Sequence, residues 1–153
     1  MLILQFLAVA AIVALDQASK LWILNNLRMH EGFPLIPNVI HIFRESNDGA
    51  AWSILSGQTL ILILIPVVAS VAMIYVLATK KIKSKIGSWG ITLILAGALG
   101  NLIDRAFRGG EVVDMLQFKF IDFPVFNVAD VAVTCGAILF FIFLIFIYED
   151  KKK

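Results

Sequence analysis

EVVDMLQFKFIDFPVFNVAD, residues 111–130, decides how the chain is read. It follows one very apolar segment and opens another, and it carries four carboxylates, Glu111, Asp114, Asp122 and Asp130, in a chain that is 60% hydrophobic. Asp130 falls a few residues inside an apolar run long enough to span a membrane, and Asp114 falls in the short loop that leads to it. A carboxylate inside a span is costly to desolvate and therefore points to a functional site. Two carboxylates held a few ångströms apart cannot both be ionised, and they titrate as a unit. At neutral pH one member can take a proton from a bound water while the other gives a proton to a carbonyl oxygen. A plainer reading stays open on the residues alone: Asp114 as a loop carboxylate and Asp130 as the partner of a nearby Arg or Lys. Glu111, Asp104 and Asp16 compete for the same roles.

Outward from this stretch, apolar runs predict four membrane spans at 2–24, 58–78, 86–103 and 125–148, with outer loops at 25–57 and 104–124 and a cytoplasmic loop at 79–85. The whole chain, 1–153, reads as one integral membrane domain. Only 16% of its residues are charged and twelve are Phe, which excludes an ordinary soluble domain. The N-terminal MLILQFLAVAAIVAL has no basic residue ahead of it and continues through Asp16 and Lys20 into LWIL, so an uncleaved first span is expected rather than a removed signal peptide. FPLIPNVIHIF, residues 33–43, alternates well enough for one or two short strands. Pro66 inside the second span is tolerated in a membrane, and Gly90, Gly97 and Gly100 allow close helix approach in the third. The expected fold is therefore an all-α membrane protein: a four-helix transmembrane bundle with a small β-like loop domain outside the membrane and a short amphipathic flap.

Basic residues cluster at segment ends, which is a topology signal and not a nucleic-acid patch. Seven of the thirteen, Lys80, Lys81, Lys83, Lys85 and Lys151 to Lys153, fall in two very short stretches, which places both termini in the cytoplasm. In that orientation the polar residues of spans 1, 3 and 4 gather at the outer face, and the cytoplasmic halves read as nearly pure hydrocarbon. A conduction pathway needs polar groups through its depth, whereas a catalytic pocket at one face needs them only there.

The local spacings add detail. Asp16 and Lys20 are i,i+4 in the favourable order, and Asn127 and Asp130 are i,i+3 on one helical face, where Asn127 also suits an N-cap. Asn101, Asp104 and Arg105 can all turn into the bundle, with Arg105 expected to pair with Asp104 or Asp16 rather than to snorkel to a lipid headgroup. Asn47-Asp48-Gly49 is a turn that either delivers Asn47 to a pocket or simply closes a loop with Trp52 at the interface. Trp22 and Trp89 are expected as packing or interface anchors. His30 and His41 have no matching ligand cluster, so neither metal nor cofactor is expected. The single cysteine, Cys135, is expected to be a small packing residue and excludes both an intrachain disulfide and a CxxC redox site. Neither His lies in a span, which removes a Ser–His intramembrane protease. A non-catalytic assembly factor remains as an alternative that cleavage by the purified protein decides.

In order, DQASK (16–20), NDGAAWS (47–53), GNLIDR (100–105), EVVDM (111–115) and FNVAD (126–130) resemble the motifs of the lipoprotein signal peptidase (signal peptidase II) family, over nearly the whole chain. The resemblance implies an aspartic endopeptidase of the bacterial cytoplasmic (inner) membrane. Such an enzyme removes the signal peptide of diacylglyceryl-modified prolipoproteins immediately before the lipidated cysteine. It implies Asp114 and Asp130 as the catalytic pair and Asp16, Lys20, Asn47, Gly49, Asn101, Asp104, Arg105 and Asn127 as supporting or substrate-binding residues. It further implies a monomer in contact with membrane lipids, an active site facing the outer side, and inhibition by globomycin-type cyclic peptides. Gly109-Gly110 and FKFIDFP (118–124) are then expected to form a mobile flap, with the loop 26–44 opposite. The chain departs from the family pattern at Ser46, where Arg is common and the nearest Arg is Arg44, at Met115 after VVD, and in the short interval between Asp114 and Asp130.

Overall fold

The computed structural model describes residues 1–49 and 54–148. The readings placed on Ala50, Ala51, Trp52 and Ser53 and on the charged end 149–153 lie outside the described residues. The described chain contains four helices long and apolar enough to cross a membrane. They are α1 (Leu2–Asn26), α2 (Thr59–Ala78), α3 (Lys85–Phe107) and α4 (Val128–Ile142), the last continued by a π-helical turn over Phe143–Tyr148. Three strands complete it: β1 (Gly32–Ile36), β2 (Ile40–Asn47) and β3 (Val112–Phe118).

The bundle is built around α3, which packs on each of the other three helices. Its small residues allow this. A Cβ on Gly97 would lie 2.2 Å from the Ala129 carbonyl oxygen, and one on Gly136 of α4 would lie 2.6 Å from that of Gly90. Backbones this close gain dispersion contacts that replace the missing hydrophobic drive between helices in lipid. By contrast α2 leaves Leu60, Val68 and Val71 68, 67 and 64% exposed. Apolar surface of that extent on a helix demands a lipid solvent, and the protein is a multi-pass membrane protein. The helix also runs through Pro66 without a break.

One end of the bundle carries an antiparallel sheet in the order β1-β2-β3. The edge strand β1 holds Pro34 and is exposed throughout, as suits a strand whose outer edge needs no ladder partner. Ile23 at the end of α1 packs with Val113 and Met115 of β3 and fixes the sheet to the helices. The loop expected to hold Asp114 is thus a strand, paired so that Glu45 faces Asp114 across β2 and β3. A tight turn feeds it. Gly109 and Gly110 both have positive φ, and a Cβ on Gly110 would lie 2.6 Å from Thr59, so the turn needs glycine there for conformation and for space. After β3 the chain doubles back, and Phe126 N donates to Leu116 O at 2.9 Å while Phe126 O accepts from Met115 N and Leu116 N. This pairing holds 125–127 against the sheet, so the fourth helix starts at Val128 and not at the first apolar residue.

The opposite end holds a core of Val9, Leu77, Ile91, Leu95 and Ala96. It holds more polar groups than the nearly pure hydrocarbon expected from the sequence. Gln5 Nε2 donates to Ser88 Oγ at 2.6 Å and to Thr92 Oγ1 at 3.1 Å, and all three side chains are buried. Single polar residues in an apolar run escape a reading by average hydropathy, but buried together they satisfy one another.

Candidate active site

Asp114 and Asp130 open onto one cavity of about 590 Å³ between the sheet and the start of α4. The carboxylates come from different elements, and asparagines join them. Asn127 caps α4: its Oδ1 accepts from Asp130 N at 2.9 Å while Asp130 Oδ2 accepts from Asn127 N at 3.1 Å, a reciprocal capping box. The rest of the same side chain is turned to the sheet, where Asn127 Nδ2 donates to Asp114 Oδ1 at 2.6 Å. Asn47 Nδ2 donates to Asp114 Oδ2 at 3.3 Å, and Asn101 Nδ2 donates to Asp130 Oδ1 at 2.8 Å. Asn127 Nδ2 also donates to Asn101 Oδ1 at 3.1 Å, which closes the chain of amides between the two acids.

Asp114 is 2% exposed. Burial pushes its carboxyl from the ordinary value near 3.8 up to about 7, and the neighbouring charge of Asp130 adds to this, against the opposing hydrogen bonds from Asn127 and Asn47 and the charge of Lys20. The group is therefore poised near neutrality, where a carboxyl can either give or take a proton.

Beneath the pair lies a buried ion network. Lys20 Nζ sits 2.9 Å from Asp16 Oδ2 and 3.0 Å from Asp104 Oδ2, and it also donates to Asn101 Oδ1 at 3.0 Å. The acids' other contacts reach the two elements that carry the cavity carboxylates. Asp16 Oδ1 accepts from Ala129 N in the first turn of α4 at 2.9 Å, and Asp104 Oδ2 accepts from Val113 N of β3 at 3.1 Å. Asp16 is admitted by Gly100, where a Cβ would lie 2.8 Å from its Oδ2.

Arg105 is placed otherwise than expected. It pairs with neither Asp104 nor Asp16; its Nη2 donates to Gly49 O at 2.5 Å, and its buried Nε has no partner among the described residues. Neighbouring helical residues point in different directions, so the cation that reaches Asp104 Oδ1 is Arg108, one turn on. Gln17 bridges Asp16, Asp104 and the Gly100 carbonyl. Neither Arg108 nor Gln17 was singled out in the sequence, although Arg108 stands at the i,i+4 position from Asp104. Gly49 N donates to Asn47 Oδ1 at 2.9 Å, and this turn presents Asn47 and the Gly49 carbonyl to the cavity. Ser46 bonds Glu111, while Arg44 Nη1 donates to the Leu27 carbonyl at 2.6 Å and so ties β2 to the end of α1. Cys135 is exposed and lines the cavity, so it is no packing residue: α3 packs on the Gly136 face of α4, and Cys135, one position earlier, turns away from it. Phe118 stacks near Phe120, Phe123 and Phe126, with centroids 5.3, 5.9 and 4.9 Å away, and Phe118 and Phe123 form an aromatic wall of the cavity. Among the described residues no three His, Cys, Asp or Glu side chains are grouped to hold a metal.

Comparison with known proteins agrees with this architecture. The Signal peptidase (SPase) II family model matches residues 8–146. The lipoprotein signal peptidase of Enterococcus faecalis is 44% identical over 153 residues, covering 100% of this chain and 94% of that protein. That of Clostridioides difficile is 42% identical over 150 residues, covering 98% and 99%. A bacterial membrane enzyme solved by the in meso method superposes with a TM-score of 0.88 at 34% identity, covering 97% of this chain and 91% of that one. A family model and relatives that run nearly end to end leave one assignment: the chain belongs to the signal peptidase II family of aspartic endopeptidases.

Proposed function

We propose that Asp114 and Asp130 form the catalytic dyad, and that they cleave the signal peptide of diacylglyceryl-modified prolipoproteins immediately before the lipidated cysteine. The observation that carries this reading is the opening of both carboxylates onto one cavity, joined by Asn127 and Asn101. A charge count supports it. Lys20, Arg105 and Arg108 face Asp16, Asp104, Asp114 and Asp130, so the site is neutral when the dyad holds one proton. That is the state an aspartic protease needs.

In the reaction a water held between the two carboxyls attacks the scissile carbonyl carbon, and its proton passes to the ionised carboxylate. The protonated carboxyl gives its proton to the carbonyl oxygen, forming a neutral tetrahedral diol. On collapse the C–N bond breaks, the nitrogen takes a proton from the protonated carboxyl of the dyad, and one diol hydroxyl returns its proton to the ionised carboxylate, which leaves a carboxyl group on the product and one proton on the dyad. Asn127 and Asn47 hold Asp114 in place through both of its oxygens, and Arg105 Nε is a donor for a substrate carbonyl. Asp16, Lys20, Asn101 and Asp104 fix the elements that carry the pair, and Gly49 turns Asn47 towards it.

The proposed setting is the outer face of the bacterial cytoplasmic membrane, with both termini cytoplasmic and the chain acting as a monomer. There the diacylglyceryl group remains in the outer leaflet while the scissile bond meets the dyad. The segment 118–124 acts as a flap opposite the loop 26–44 and opens in the membrane plane to admit substrate. Globomycin-type cyclic peptides inhibit by occupying the same cavity.

Comparing lipidated and unlipidated substrates at equal membrane loading tests this. Burial of about four methylenes supplies ~3 kcal/mol, roughly a hundredfold in affinity, and misplacement of the bond by about 1 Å costs on the order of a hundredfold in rate. The lipidated peptide is expected to be cut far faster; equal kcat/KM for the two forms contradicts the proposed role of the lipid.

A further inference from the structure

A second cavity, about 290 Å³, lies at the end of the bundle remote from the aspartates, between the start of α1, the end of α2 and the turn into α3. Leu77 and Ile82 give it an apolar wall, while Lys80 and Lys83 stand at its edge. Its polar floor is Gln5 and Ser88, only 2 and 4% exposed. Ser88 Oγ accepts from Gln5, which leaves its own proton for an oxygen in the cavity.

Lys80 occupies a position that backbone physics gives to glycine. Lys81 N donates to Val76 O and Lys80 N to Leu77 O, both at 3.2 Å, which ends α2 in a Schellman motif with Lys80 at its left-handed residue, φ 51°. A side chain there is strained, and a lysine held there on the edge of a cavity is a sign that the ammonium is used. Among the described residues no anion stands beside it. Lys80, Lys81, Lys83 and Lys85 form no ion pair among the described residues, and every described Asp and Glu lies towards the sheet end. Glu149 and Asp150 lie outside the described residues. Lys81 is engaged elsewhere, 4.7 Å above the Tyr75 ring, and Lys85 does not line the cavity.

We propose that this cavity binds the headgroup of an anionic phospholipid, with the phosphate between Lys80 and Lys83 and the glycerol end against Leu77 and Ile82. A lipid is favoured over soluble phosphate because the cavity joins cations to an apolar wall at the helix ends, where headgroups lie. The site is independent of the dyad, and its test requires no catalysis.

The full chain, purified and delipidated, is placed in phosphatidylcholine nanodiscs with graded phosphatidylglycerol, and retained lipid is counted by native mass spectrometry alongside the unfolding midpoint. Wild type should retain phosphatidylglycerol in preference to phosphatidylcholine. Lys80→Gly combined with Lys83→Gln should weaken that binding roughly thirtyfold, from the loss of two cations near the membrane surface. Lys81→Gln combined with Lys85→Gln removes the same charge, but neither residue lines the cavity, so the retention should stay within about threefold of wild type. Lys80→Gly alone should unfold no earlier than wild type in phosphatidylcholine, since glycine suits the helix end, and yet lose part of the phosphatidylglycerol effect. Lys83→Gln alone makes no demand on that helix end and should show a partial loss too. No preference for phosphatidylglycerol, equal loss in both double variants, or displacement of the lipid by inorganic phosphate each overturns the proposal.

Discussion

Asn127 donates its side-chain amide to Asp114 at 2.6 Å across the junction of α4 and β3, so the residue that caps one acid's helix also holds the other acid. These two tasks can be separated. Asn127→Ser keeps an oxygen for the Asp130 N–H but is too short to reach Asp114. It should fold almost as well as wild type and lose kcat by about a hundredfold, as a dyad out of position does. Asn127→Ala should lose a further ~1 kcal/mol of stability through the missing cap. Unfolding midpoints in detergent and single-turnover cleavage distinguish the two effects.

The pH dependence of stability should carry the mark of Asp114. Its carboxyl sits higher in the folded protein, at about 7, than the ordinary 3.8, so the folded state binds more protons between those values. The stability this contributes is fully present below pH 3.8 and is lost as pH rises through about 7. Asp114→Asn stays neutral, so its unfolding midpoint relative to wild type should climb across that window and level off above it. A difference that is flat from pH 4 to 8 contradicts the shift.

Removing one member of the buried ion network should cost more than removing the network. Lys20→Met leaves Asp16 and Asp104 buried without their shared cation and should destabilise by about 3–5 kcal/mol. Adding Asp16→Asn and Asp104→Asn to Lys20→Met should restore part of this. Chemical denaturation of the three forms gives the comparison.

The helix crossing sets the position of Asp130. Gly97→Ala places a methyl where the Ala129 carbonyl now lies, and α4 must move to relieve it. A cost of about 1–3 kcal/mol is expected, together with reduced kcat. An increase in stability instead identifies a gap where close packing has been described.

Much of this architecture is legible in the sequence because its signals are local. Four apolar runs give four helices, and the spacings of Asp16 with Lys20 and Asn127 with Asp130 give contacts that the structure contains. The alternation in 33–43 gives β1 and β2. The third strand was hidden because Val112 to Met115 are all buried, so no alternation marks them. The placing of Arg105 was hidden for another reason: its partner is the Gly49 carbonyl, and a backbone acceptor distant in sequence leaves no trace in residue type. Cys135 looked like packing because periodicity shows which residues are apolar but not which face of α4 the cavity occupies.

The central claim is that Asp114 and Asp130 are one chemical unit. Its most direct measurement is cleavage of a synthetic diacylglyceryl prolipopeptide by wild type, Asp114→Asn, Asp130→Asn and the double variant, each shown to be folded by its unfolding midpoint. Groups that act as a unit are strongly non-additive. Each single variant is expected to lose turnover by several orders of magnitude, and the double variant to lose little more. Near-normal cleavage by either folded single variant, or losses that multiply in the double variant, would contradict it.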